Sequence, residues 1–241
     1  MSENRTRIEL EHNIINKYPG FINRINDLEN QCINIMDKLF LKHENWVKHN
    51  DVRLGAFGRI LTNLNTTKTS LILLKNYLSQ PNWEEEYFGS ILPERFQFNG
   101  KHYGYFRSID TGYRFQFYQQ LYSQFETTAR IICRSCTLKC KKPITQICEH
   151  SNFYDKDFID FCDYIRNSIH NNGFYFPLNN QPSNWTYSFN DKIISFINGQ
   201  KIDVDWNDFF ELTNKIIELL DNVLSSSVFP ENVIIKDTAD E

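Results

Sequence analysis

The sequence predicts a mainly α-helical protein with a small antiparallel β-hairpin before its last helix. Apolar residues recur at three- and four-residue steps through most of the chain, which is the period of an amphipathic helix. Only 9 glycines and 7 prolines occur in 241 residues, too few for the frequent turns of an all-β fold. Hydrophobic residues make up 41% and charged residues 23%, so the chain can bury a core and is not of the disordered class.

The N-terminal part, residues 1–112, is predicted to contain a helical hairpin and an irregular connecting region. Residues 21–48 and 52–79 each carry an apolar stripe of helical period. Pro81 ends the second helix, because the residue before a proline is pushed out of the helical region. The two helices are joined near Asn50-Asp51, so we expect them to lie antiparallel as a scaffold.

The connecting region, residues 80–112, is rich in aromatic residues and broken up by glycine and proline. Such punctuation is typical of loops and turns. We therefore expect a loop here, with short strands around Phe96–Phe98 and His102–Phe106.

A second domain is predicted over residues 113–228. Helical period returns over 113–139, and another amphipathic helix begins near Asp155–Asp157 and ends at Asn172-Gly173, a sequence favourable for a left-handed C-cap. Residues 186–202 alternate around two turn signals and predict two or three antiparallel strands, followed by a helix over about 205–226.

Charge and terminal composition narrow the class of protein. The net charge of −4 excludes a globally basic nucleic-acid coat, so any RNA contact must be local. The N-terminus lacks the apolar core of a signal peptide, and no apolar run reaches the roughly 18 residues of a membrane span, which predicts a cytoplasmic protein without a membrane partner. Residues 229–241 are expected to form a loose acidic tail.

Four cysteines and a histidine lie close together in sequence: Cys133, Cys136, Cys140, Cys148 and His150. They are enough ligands for a tetrahedral zinc site. The first three also fall at the spacing of one buried helix face, where cysteine is a common small core residue. We favour core thiols and predict no cofactor, and zinc remains the alternative.

The segment from Arg166 to His170 carries the strongest functional signal. Arg166, Asn167 and His170 fall on one helix face, so a permanent cation, an amide and an imidazole can serve one site. Metal-free RNA cleavage needs groups that move protons and a cation that stabilises the phosphorane. These residues supply both, with Asn171 in support. The alternative is a packed helix end whose charges hold nearby carboxylates.

A neighbouring pair supports either interpretation. Glu126 and Arg130 are four residues apart on the preceding helix and predict an ion pair. That pair can support Arg166 or His170, or it can be a structural salt bridge.

A basic stretch free of acidic residues is the candidate RNA-binding surface. It contains Arg134, Lys139, Lys141 and Lys142, which can follow a phosphate backbone. A solvated helix end is the alternative. Tyr175, just after the Arg166–His170 segment, is the candidate base-stacking side chain.

The segments Phe125–Arg130 and Arg166–His170, followed by a hairpin and a closing helix, resemble the HEPN superfamily over residues 113–226. Many HEPN proteins are metal-independent ribonucleases of toxin–antitoxin and antiphage systems. The resemblance implies a HEPN-type helical bundle, with Arg166 and His170 as catalytic residues and Asn167 as their polar companion. It also implies RNA as substrate, a homodimer, and an antitoxin or other regulatory partner protein.

Two features of the motif differ from the family. Three residues separate Arg166 from His170, whereas the family has four to six, and Asn172 stands where some toxin members have a tyrosine. The shortened spacing favours a second hypothesis, in which the chain is a non-catalytic helical module that binds a nucleotide or a partner protein.

Overall fold

The structure, a computed structural model, describes residues 15–48, 50–80, 102–138, 141–178, 181–229 and 233–237. Within these ranges the chain is mainly helical, and a two-stranded antiparallel hairpin precedes the last helix. The predicted fold class is therefore confirmed. No helix in the described ranges has the length and apolar character that a bilayer crossing requires.

The N-terminal hairpin consists of α1 (Tyr18–Lys42), a short α2 (Glu44–Lys48) and α3 (Val52–Leu78). The single helix predicted over 21–48 is thus broken at His43, whose backbone leaves the helical region and whose ring stacks on Trp46 at 3.8 Å. Asp51 caps the next helix by accepting a hydrogen bond from the Arg53 amide at 2.9 Å.

The long central helix α4 spans His102–Ser135, so the strand predicted at His102–Phe106 is wrong. The carboxylate of Asp110 is buried in this helix and accepts hydrogen bonds from Tyr18 (3.3 Å) and Trp206 (2.9 Å). Strand preference of aromatic residues depends on context, and at residues 102–106 it does not outweigh their inclusion in a long helix. The domain boundary placed between residues 112 and 113 falls inside this continuous helix, and Phe96–Phe98 lies outside the described residues.

Two further helices follow, α5 (Pro143–His150) and α6 (Lys156–His170). No helix is predicted from the sequence over the residues of α5. Pro143 occupies the first turn of this helix, where a proline is tolerated. The predicted end of α6 is confirmed: Asn172 and Gly173 both have positive φ (56° and 87°), and the Gly173 amide donates to the Ser168 carbonyl at 2.8 Å.

The hairpin joins β1 (Asn184–Phe189) to β2 (Lys192–Ile197) through Asn190 and Asp191, both with positive φ as a type I′ turn requires. On its inner face Phe189 and Phe196 pack on Phe161 of α6, with ring centroids 5.0 and 6.0 Å away. The hairpin thereby fixes one side of α6 against the core.

The last helix, α7 (Trp206–Leu224), begins with a capping box. Asp205 accepts from the Asp208 amide at 3.1 Å, and Asp208 accepts from the Asp205 amide at 2.8 Å. Its apolar face carries Phe209 and Phe210, both fully buried in the same core that includes the N-terminal hairpin.

The C-terminal segment at residues 233–237 is not the loose tail that the composition predicts. The Asp237 amide donates to the Asn50 carbonyl at 2.8 Å, and the Ile235 amide donates to the Asp51 carboxylate at 2.9 Å. Asp237 is buried and forms an ion pair with Arg59 at 2.5 Å. Apolar burial of Ile235 and the Arg59–Asp237 ion pair hold this segment in place, which composition alone cannot reveal.

Candidate functional site

A groove of about 810 Å³ runs along α6 from Lys156 to Asn167. Arg166 and Asn167 line it, both half-buried, and so do Lys141 and Lys142 from the connection between α4 and α5. The groove therefore brings together one part of the predicted catalytic segment and one part of the predicted RNA-binding run.

The guanidinium of Arg166 lies over the aromatic ring of Tyr122, with its central carbon 5.3 Å from the ring centroid. A cation over a ring face is attracted by the quadrupole of the ring, and this contact restricts where the long side chain can point. Tyr122 comes from α4 and lines the same groove. The packing of α4 on α6 therefore orients the Arg166 side chain towards the groove.

The Tyr122 hydroxyl donates a hydrogen bond to Oδ1 of Asp163, one helical turn before Arg166. Burial raises the pKa of the Asp163 carboxyl, and the bond from Tyr122 and the charges of Lys142 and Arg166 partly oppose that rise. Burial also raises the pKa of the Tyr122 hydroxyl, which is therefore a hydrogen-bond donor and not a phenolate.

The groove carries a surplus of positive charge once its internal partners are counted. Lys156 pairs with Asp160 at 2.6 Å on α6, and Glu126 pairs with Arg130 at 2.5 Å on α4. The remaining cations, Lys141, Lys142 and Arg166, form no ion pair with any described residue, and they outnumber Asp163, the one lining carboxylate outside these pairs. Three such cations around one groove suit a ligand with several phosphates.

His170, the last residue of α6, is exposed and is not among the residues that line the groove. It lies on the helix face of Arg166, one turn beyond the edge of the groove. Asn171 is also exposed, and its side-chain amide donates to the Asn167 carbonyl at 2.8 Å. Asn171 thus closes the end of the helix and fixes the turn on which His170 is presented.

The other predicted site residues divide into two groups. Glu126 lines the groove, and its predicted ion pair with Arg130 is present on the surface of α4. Arg134 is exposed near the end of that helix and does not line the groove, and Lys139 lies outside the described residues.

Tyr175 is not a base-stacking residue. Its ring is fully buried, and its hydroxyl donates to the Pro182 carbonyl at 2.8 Å. It packs against Phe196 with ring centroids 5.4 Å apart, as part of the core beneath the hairpin. The adjacent Phe176 is the exposed ring, 48% accessible, because the chain after α6 alternates sides.

The cysteines behave as core residues in the parts of the chain that the structure describes. Cys133 and Cys148 are buried, and burial raises the pKa of the Cys148 thiol to about 12, so it is a protonated apolar group. The described His, Cys, Asp and Glu side chains do not form a group of three that could bind a metal, and Cys140 is not among the described residues.

Tyr122 and Asp163 also shape the groove, although the sequence predicts neither as a site residue and indicates Asp163 only as a carboxylate that a packed helix end could hold. Asp163 precedes Arg166 by three residues, the same spacing rule that drew attention to His170. No local pattern points to Tyr122, because its contacts with α6 are forty residues or more away in sequence. Comparison with known proteins adds no relative: no family model, no curated protein and no solved structure matches this chain.

Proposed function

We propose that this chain is a metal-independent endoribonuclease of the HEPN type, acting on RNA in the cytoplasm as a toxin or antiphage effector. The supporting observation is the convergence of Arg166 and Asn167 with the unpaired cations Lys141 and Lys142 on one groove. The cations bind the phosphates of the strand, and the groove is large enough for more than one nucleotide.

In this proposal Arg166 stabilises the negative charge that gathers on the phosphorane when a 2′-hydroxyl attacks the adjacent phosphate. A planar guanidinium can donate two directed hydrogen bonds to non-bridging oxygens. Tyr122 holds that guanidinium in place before the substrate arrives, which avoids part of the cost of ordering it. Asn167 binds a phosphate or ribose oxygen beside it.

His170 moves a proton in the same reaction. Histidine is the side chain that most often serves as a general acid or base in enzymes. Helix α6 carries one histidine, so a homodimer that joins two copies of α6 would bring a second imidazole to the substrate. A homodimer therefore belongs to this proposal, and so does the regulatory partner protein that the HEPN resemblance implies.

The test is cleavage of a fluorescently labelled RNA by the purified chain in EDTA. We expect 2′,3′-cyclic phosphate ends from wild type and none from Arg166→Ala or His170→Ala. His150→Ala is the matched control, because His150 is also an exposed histidine at a helix C-terminus. Equal cleavage by wild type and both site variants, or no cleavage by wild type, would contradict the proposal.

A second candidate function is nucleotide or RNA binding without cleavage. The observation that favours it is the position of His170, which is exposed and outside the groove that Arg166 lines. RNA retained by wild type with an intact backbone, and lost on Arg166→Ala, would support this module over the enzyme.

A further inference from the structure

One face of α6 carries four polar side chains in a fixed order. Asp163, Arg166, Asn167 and His170 are separated by three, four and seven residues, so they share one face of the helix. Seven residues advance a helix by about 10 Å. A carboxylate and an imidazole therefore stand at the two ends of a stripe, with the guanidinium and the amide between them.

Asp163 has one anchored oxygen and one available oxygen. Oδ1 accepts the hydrogen bond from the Tyr122 hydroxyl. Oδ2 has no hydrogen-bond or ion-pair partner among the described residues. It is also not buried away from solvent. Because the side chain lines the groove, this second oxygen can accept a proton from a bound ligand.

The surroundings of Asp163 make it a stronger base than an ordinary surface carboxylate. Burial raises its pKa, Tyr122 from α4 and Lys142 from the α4–α5 connection lower it, and on α6 Asp160 raises it while Arg166 lowers it. The balance is a net rise, and a general base gains efficiency as its pKa approaches the working pH.

We propose that Asp163 is the general base of the ribonuclease and that His170 of the same chain is the general acid. This inference rests on the proposed function, and it places both proton-transfer groups in a single copy of the site. It differs from a site that borrows a second histidine from another chain.

The reaction exchanges one bond at phosphorus and transfers two protons. Asp163 Oδ2 takes the proton of the 2′-hydroxyl while O2′ forms a bond to phosphorus. The bond from phosphorus to O5′ breaks, and O5′ takes a proton from the His170 imidazolium. The products are a 2′,3′-cyclic phosphate and a 5′-hydroxyl, and solvent returns each group to its starting state.

The stripe on α6 suits this reaction because the attacking and leaving oxygens lie on opposite sides of phosphorus in an in-line displacement. Arg166 and Asn167, between the two ends, are placed to bind the non-bridging oxygens. Lys142, whose charge acts on Asp163, holds the neighbouring part of the strand. Each of the four side chains thus has a separate role.

The decisive variant is Asp163→Asn, which keeps the size of the side chain and can still accept the bond from Tyr122. Asp157→Asn is the matched control, because Asp157 is an exposed carboxylate on the same helix and does not line the groove. Under single-turnover conditions with saturating RNA, we expect Asp163→Asn to slow cleavage by about 10²- to 10⁴-fold, the usual worth of one proton-transfer group. RNA affinity should stay within about twofold, measured by fluorescence anisotropy.

The pH profile separates a proton-transfer role from a structural one. Wild type should show an acid limb set by Asp163, and Tyr122→Phe should move that limb to higher pH because it removes a hydrogen bond that lowers the pKa of Asp163. Wild-type cleavage by Asp163→Asn, with Arg166→Ala and His170→Ala inactive, would overturn the inference and leave the ribonuclease standing. Absence of cleavage by wild type would remove the proposed function and this inference with it.

A mixing experiment tests whether one chain holds both groups. Asp163→Asn and His170→Ala are combined after unfolding and refolding together, so that any oligomer contains both variants. We expect no recovery of cleavage, because neither chain then has a complete pair. Recovery would show that Asp163 and His170 act across two chains, which would overturn the same-chain assignment.

Discussion

Arg166 and Tyr122 form a cation–π pair between α6 and α4, with the guanidinium carbon 5.3 Å from the ring centroid. The same tyrosine donates its hydroxyl proton to the Asp163 carboxylate. One side chain therefore orients both a cation and an acid of the groove. Its two contacts can be separated by substitution, because phenylalanine keeps the ring and loses the hydroxyl.

We expect Tyr122→Leu to weaken RNA binding about fivefold, since the cation–π contact is worth about 1 kcal/mol at a partly exposed site. Tyr122→Phe should bind RNA as wild type does. Fluorescence anisotropy with a short single-stranded RNA makes the comparison. Equal weakening by both substitutions would show that the hydroxyl, and not the ring, positions Arg166.

The salt dependence of RNA binding reports how many of the unpaired cations contact phosphates. If Lys141, Lys142 and Arg166 each contact one, the logarithm of the binding constant should fall with the logarithm of salt concentration with a slope of about −2 for a single strand. Lys141→Ala combined with Lys142→Ala should reduce that slope to about −0.7. An unchanged slope would place the phosphates elsewhere.

Two glycines of α3 offer a matched pair for the docking of the C-terminal segment. A Cβ at Gly55 would overlap Oδ2 of Asp237, whereas a Cβ at Gly58 meets nothing within 4 Å. We expect Gly58→Ala to stabilise the fold by about 0.5–1 kcal/mol, because alanine has the better helix propensity. Gly55→Ala should instead destabilise it by about 1–3 kcal/mol through overpacking. Urea unfolding measures both, and stabilisation by Gly55→Ala would mean that residues 233–237 do not lie against α3.

The buried pair of Arg53 and Asp51 should dominate the stability of the same region. Both side chains are fully buried, and they are joined at 2.7 Å. The guanidinium also donates to the Val233 carbonyl at 2.5 Å and lies over the Trp46 ring. Arg53→Met leaves a buried carboxylate without its cation, so we expect a loss of about 3–5 kcal/mol in the free energy of unfolding.

The control for that substitution is Lys156→Ala. It breaks the Lys156–Asp160 pair, in which the lysine side chain is 66% exposed, and should leave the free energy of unfolding nearly unchanged. Similar losses of unfolding free energy for Arg53→Met and Lys156→Ala in urea would contradict the expectation that the buried Arg53–Asp51 pair dominates the stability of this region.

Asp163 should oppose folding at neutral pH. Its pKa is raised in the folded state, so the stability that it contributes is present below the pKa of the unfolded carboxyl and is lost as pH rises through the folded pKa. We therefore expect Asp163→Asn to unfold at higher urea concentration than wild type near pH 7. The difference should disappear below about pH 3.9. A variant less stable than wild type at neutral pH would assign Asp163 a structural role.

The parts of the fold that the sequence predicts well are those governed by local interactions. The end of α6 at Asn172-Gly173 and the hairpin turn at Asn190-Asp191 both depend on residues that accept positive φ. The apolar periodicity that predicts α1, α3 and α7 likewise lies within the residues of each helix and does not depend on what the helix packs against. The error at residues 102–106 has a different origin, because an aromatic-rich local pattern favours a strand where the chain is part of α4.

The candidate site likewise has features that helical spacing predicts and features that only tertiary packing sets. Helical spacing determined that Arg166, Asn167 and His170 share one face of α6, and the same rule applies to Asp163. Only the tertiary structure decided that Tyr122 orients Arg166 and Asp163, that Tyr175 is buried, and that Lys141 and Lys142 border the groove. The physical reason is that periodicity records which side of its own helix a residue occupies. What faces that side depends on packing between segments far apart in the chain.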